Sequence, residues 1–193
     1  MNSLLILINR IKLRETLFTI NLFLMISFTN AANANIILHG DGWDGPGQGI
    51  FDVKYYFGDM TTDNGLTESS IHSAFLIAFD AWSDATNNNL TFTEIFTAGQ
   101  NDSIDISFEN RAHGDGFDFD SLTLAHAFYP DDEHPPIIAG DLHMNDESYS
   151  WEIGNALGSS AFDITRVAVH EIGHSIGLGH TIVGSGNIMD PLI

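Results

Sequence analysis

The chain has 193 residues, 44% of them apolar, with 26 acidic residues against 6 basic ones and a formal net charge of −20. That length holds one ordinary domain plus a leader, the apolar share argues against long disorder, and the acidic balance repels nucleic acid and anionic membranes. Cysteine is absent, which excludes disulfides, thiolate metal sites and a cysteine nucleophile, so a metal must bind through His, Asp, Glu or backbone oxygen.

Residues 1–34 read as an export signal. Lys12 and Arg14 give a basic flank, residues 17–28 an apolar run, and Ala32-Asn33-Ala34 a small-x-small cleavage site. The run is too short to span a bilayer, which weighs against a membrane anchor. The apolar stretch 1–9 precedes the basic flank and points to a start further in. Cleavage removes three of the 6 basic residues and Glu15 alone of the 26 acidic ones, leaving a net of −22. Such a surface serves solubility or binds divalent cations through clustered carboxylates.

Residues 35–50 are rich in glycine and form an irregular lead-in. FDVKYYF at 51–57 alternates as a strand, and 59–67 is turn chemistry. Residues 68–85 carry Ile71, Phe75, Phe79 and Trp82 at helical spacing, and Asn87-Asn88-Asn89 ends that helix. Strands are expected at 90–95 and 103–108, and weaker ones at 123–129 and 139–144. A second helix starts after Asp163, a good N-cap, and runs to about Gly177. The pattern implies an α+β domain over 51–193.

The second helix contains HEIGHSIGLGH at 170–180. His170 and His174, four apart, project from one helical face. Gly177 allows positive φ and a sharp end, after which the chain returns His180 as a third ligand. Three protein ligands leave one position open, as in a catalytic zinc site, and Glu171 is placed to reach water there. A bare HExxH is moderate evidence. The extended form has a chance frequency of roughly one in ten million per start position, which sets it apart.

HExxHxxGxxH resembles the metzincin signature, and Met189 in NIMDP resembles that clan's Met-turn. LTFTEI, SIDISF, HGD at 113–115, LAHAF at 124–128 and GDLHMND at 140–146 stand in the order of the matrixins, the matrix-metalloproteinase family. The resemblance covers about 51–191. It implies a twisted five-stranded mixed sheet with an early helix and a catalytic helix, a secreted zinc endopeptidase with Glu171 as general base, and a protein or peptide substrate. It also implies a structural zinc on His113, Asp115, His126 and His143. Calcium is less well matched: Asp118 and Asp141 fit ligand positions, while Asn145 and Ser148 stand where acids are usual. Substrate is expected to pair with the strand holding Leu124, Ala125 and His126. Arg166 matches the position that sets pocket depth, and Pro191 begins the pocket wall.

Two departures from the family are plain. No cysteine switch exists, and Asp41 or Asp44 in the lead-in could cap the zinc as a short pro-segment. The chain stops just past the Met-turn, where matrixins add a C-terminal helix. The leader and the lack of a haemopexin-like module look bacterial, and a monomer with no membrane contact after signal cleavage is expected. The alternatives to an active peptidase are an inactive metal-binding remnant of the same fold and a non-proteolytic zinc hydrolase.

Overall fold

The computed structural model describes residues 36–46, 49–62, 65–130, 132–154 and 160–192. The export signal and its cleavage point lie outside the described residues. Strand β1 (Phe51–Phe57) buries Val53, Tyr55 and Phe57 on one face, as its alternation dictates. Helix α1 (Glu68–Ala85) buries Ile71, Ala74, Phe75, Ala78 and Phe79. Its Thr67 N-cap hydroxyl accepts the Ser70 N–H, satisfying one orphan donor of the first turn. Asn87 and Asn88 end the helix in the left-handed region, at φ 53° and 60°, which asparagine tolerates better than most residues.

Strands β2 (Leu90–Glu94) and β3 (Ser103–Glu109) both pair in parallel with β1. Strand β5 (Leu142–Asn145) pairs in parallel with β3, and β4 (Ala125–Ala127) runs antiparallel to β5. The result is a five-stranded mixed sheet in the order β2-β1-β3-β5-β4, with β4 on one edge. Strand β4 is shorter than the alternation at 123–129 predicts. Its flanks remain tied to β5, since Asn145 N–H donates to Leu124 and Phe128 N–H to Asp141. A short parallel ladder, β6 (Trp151–Glu152) with β7 (Phe162–Asp163), was not expected from the sequence. Two residues carry no readable period.

Helix α2 (Ile164–Ser175) begins at the expected N-cap: the Asp163 carboxylate accepts the Arg166 N–H at 2.9 Å. It ends in a Schellman turn. Leu178 N–H donates to Gly173 and Gly177 N–H to His174, with Gly177 at φ 94°. The core joins one face of the sheet to both helices, and the Trp82 indole N–H on α1 donates to the Val169 carbonyl of α2. This contact ties α2 to α1.

Candidate metal centres

The Schellman turn decides the first centre. It stops α2 one residue after His174 and reverses the chain, so that His180 returns to the face holding His170 and His174. The three Nε2 atoms lie 3.1–3.2 Å from one another. Donors at the usual zinc distance of about 2.0–2.1 Å in tetrahedral array would stand about 3.3–3.4 Å apart, so the triangle fits one ion. The outer nitrogens are held by backbone carbonyls. His170 Nδ1 is 2.7 Å from Ile188 O, and His174 Nδ1 is 2.6 Å from Leu178 O. Each Nδ1–H donates there, which leaves the Nε2 lone pair for the metal. Burial lowers all three imidazoles, His174 to about 4, and so favours their neutral, ligating form.

Glu171 is buried beside them. Its Oε2 has no hydrogen-bond partner among the described residues, and burial raises its carboxyl to about 8. A buried oxygen without a partner is costly and marks a place where a ligand or water is expected. Met189 is buried beneath α2, where any Cβ on Gly173 would strike its sulfur. The residue after it, Asp190, is also buried and accepts the Leu192 and Gly186 N–H groups, closing the loop that follows His180.

A cleft of about 310 Å³ opens over Glu171, His170 and His180. Leu124, Ala125 and Pro191 line it. Arg166 does not. It is exposed on the first turn of α2 and takes no part in the lining. Tyr149 and Phe162, in edge-to-face contact at 5.4 Å, line the cleft instead, together with Leu122. Sequence reasoning missed these, because no local pattern tells which aromatic ring of an irregular segment faces a cleft.

The second centre is built by the β4–β5 pair and one loop. His126 and His143 are directly opposed in the ladder, and the loop 113–115 brings His113 and Asp115 to them. Asp115 Oδ2 is 3.0 Å from His113 Nε2, 3.3 Å from His126 Nε2 and 3.2 Å from His143 Nδ1. His126 Nε2 and His143 Nδ1 are 3.0 Å apart. Four donors this close together could close around one ion with no position left open. Burial lowers His126 and His143 to about 4. Burial pushes Asp115 up, but the Phe117 N–H and the three imidazoles outweigh it and hold the carboxyl below its usual value.

Among the described residues, these are the two groups that bring three or more such donors together. Asp118 is exposed and belongs to neither. Asp141 belongs to neither as well: burial raises it to about 7, and its Oδ1 accepts the Asp105 N–H. Asn145, where an acid is usual, is buried and spans two backbone groups, donating to Thr123 O and accepting from Ser148 N–H. Asp41 and Asp44 stand outside the imidazole triangle. Asp41 N–H donates to Asp132, and Asp44 accepts from Gly49 N–H.

Comparison with known proteins agrees with this architecture. Residues 43–193 match the family described as Matrixin, and the chain belongs to that family. It is 37% identical to karilysin of Tannerella forsythia over 157 residues, 78% of this chain and 29% of karilysin. It is 42% identical to Metalloendoproteinase 2-MMP of Arabidopsis thaliana over 149 residues, 74% of this chain and 35% of that protein. It is 41% identical to human Matrix metalloproteinase-25 over 119 residues, 60% and 20% of the two chains. The matched stretch spans about a third or less of each of these relatives.

Proposed function

We propose that this protein is a secreted zinc-dependent endopeptidase in which His170, His174 and His180 hold the catalytic ion and Glu171 is the general base. The observation that carries this reading is the triangle of Nε2 atoms next to a buried carboxylate oxygen with no partner among the described residues. When bound, zinc supplies Lewis-acid activation of water and of the scissile carbonyl. The chain's own residues do the rest. Glu171 Oε2 takes the proton of the attacking water and delivers it to the leaving amine nitrogen.

Substrate backbone adds to the outer edge of β4, with Leu124 and Ala125 against it and Pro191 opposite. The Tyr149 and Phe162 rings offer apolar surface to a substrate side chain. His113, Asp115, His126 and His143 hold a second, structural zinc, for a closed shell leaves no site for water. Export follows from the leader at 1–34. Among the described residues no helix is long and apolar enough to cross a bilayer.

The test is metal content with cleavage. The purified protein is expected to carry zinc and to cut casein or a quenched peptide at internal bonds, with chelator abolishing the cleavage. Glu171→Gln should keep its zinc and lose about 100-fold or more in kcat/KM. Near-normal turnover in zinc-loaded Glu171→Gln removes that residue from the role. Zinc uptake without any cleavage by the wild type supports the inactive remnant instead.

A further inference from the structure

The lead-in reads in sequence as a loose glycine-rich segment, yet residues 37–43 are docked against the bend that joins His174 to His180. Two backbone bonds pair it with that bend: His39 N–H donates to Gly177 O at 2.8 Å, and Gly179 N–H donates to Ile37 O at 2.7 Å. Leu38 and Leu178 form an antiparallel bridge between them. The Trp43 indole N–H donates to Ser175 O at 2.8 Å. These bonds satisfy carbonyls that the end of α2 would otherwise leave open. The His39 ring stacks on Tyr129 at 3.9 Å, and Tyr129 in turn meets the His174 ring edge-on at 5.8 Å.

The dock is built into the other side as well. A Cβ on Gly140 would meet the Trp43 ring at 2.5 Å. One on Gly177 would meet His39 O at 3.0 Å, and one on Gly179 would meet Ile37 Cβ at 2.9 Å. Three glycines far away in sequence thus leave room for one short segment. Apolar burial in the strap comes from Trp43, which packs against the core, and not from Ile37 and Leu38, which are 54% and 71% exposed. The segment is held by backbone pairing and by Trp43 and His39.

The link to the chemistry runs through Leu178. Its carbonyl accepts His174 Nδ1–H and so sets that ligand's ring, and Leu178 is the residue that Leu38 bridges. We infer that residues 37–43 are a positioning strap: their pairing with 177–179 and the Trp43 bond to Ser175 fix the bend that aims His174 and His180 at the metal. Trp43 and His39 are positioning residues, and the strap belongs to the working enzyme instead of being a pro-segment to be discarded. This rests on the zinc assignment above.

The test uses the full chain, with Trp43→Phe, His39→Ala and the double variant. Trp43→Phe keeps a ring against Gly140 and deletes the N–H. A core variant on α1, Phe79→Leu, controls for general loss of stability. Zinc affinity is read by chelator competition, and ligand geometry by the visible spectrum of the cobalt(II)-substituted protein. The ion held by His113, Asp115, His126 and His143 is the internal reference, because none of the strap's bonds reaches those residues.

Each strap variant should weaken zinc at the three-histidine site by roughly three- to tenfold, the range expected from one lost hydrogen bond for Trp43→Phe and one lost ring stack for His39→Ala. The cobalt spectrum should shift, and the reference site should not change. Phe79→Leu should lower the melting temperature with no change in either readout. A double variant with wild-type zinc affinity and spectrum overturns the strap while leaving the zinc reading in place. A wild-type protein that takes up no zinc at the three histidines overturns both.

Discussion

Gly177 meets three demands at one backbone position. It closes the Schellman turn at φ 94°, it lies against His39 O, and it starts the return of the chain toward His180. Alanine there should cost about 1–2 kcal/mol from the left-handed conformation alone. Metal-free Gly177→Ala is expected to melt earlier than wild type, and the metal-loaded variant to lose zinc more readily to a competing chelator. Equal melting and equal zinc retention would remove this glycine from the account. At this scale the three-histidine cluster was legible, because His170, His174 and His180 sit in one short stretch whose spacing has a geometric meaning. His113, Asp115, His126 and His143 lie on a loop and two strands, and only family motif order united them. Arg166 shows the limit of position matching. Its sequence place is one the resemblance gives to a pocket residue, yet Arg166 itself is exposed and outside the cleft lining.

Strand β4 does two jobs on alternate residues. Ala125 lines the cleft while His126 points to the second metal centre, as the two-residue period of a strand requires. Metal at that centre therefore holds the edge that substrate is proposed to pair with. Asp115→Ala is expected to lose one zinc per chain by elemental analysis, to melt earlier, and to raise KM more than it lowers kcat. Retention of both ions in this variant would contradict the ligand set. On α2, Asp163→Ala removes the N-cap and should cost about 1 kcal/mol. For a unit of this size that is a fall of about 2–4 °C in Tm, with little change in zinc affinity. The helices were readable because a 3.6-residue apolar stripe over many residues is a strong signal, as Ile71, Phe75 and Phe79 show. Strands β6 and β7 were not readable, because each has two residues and their pairing depends on Trp151 meeting Phe162, which no local period announces.

Acidic charge pervades the molecule, so its response to pH depends on carboxylates with partners. Asp52 ties the outer strand to its neighbour, accepting from the Thr91 and Thr93 hydroxyls and pairing with Lys54. Burial pushes its carboxyl up, but Lys54 and the two hydroxyls outweigh this and hold it below 3.8. A carboxyl lowered in the folded state adds stability above its unfolded value of 3.8 and loses it as pH falls through the folded value. Asp52→Asn should therefore be less stable than wild type at neutral pH, and the gap should close below pH 3.8. The effect is small, because the side chain is 38% exposed. A gap that persists unchanged in acid would assign the loss to packing. The second metal centre has a further consequence for the whole chain. A metal held there, as proposed, would tie a loop to two strands through nitrogen and oxygen donors, in a sequence that has no sulfhydryl to oxidise. Shifts between reducing and oxidising surroundings would leave such a fastening untouched, and competition for trace metal would become the environmental variable that decides how long the molecule lasts.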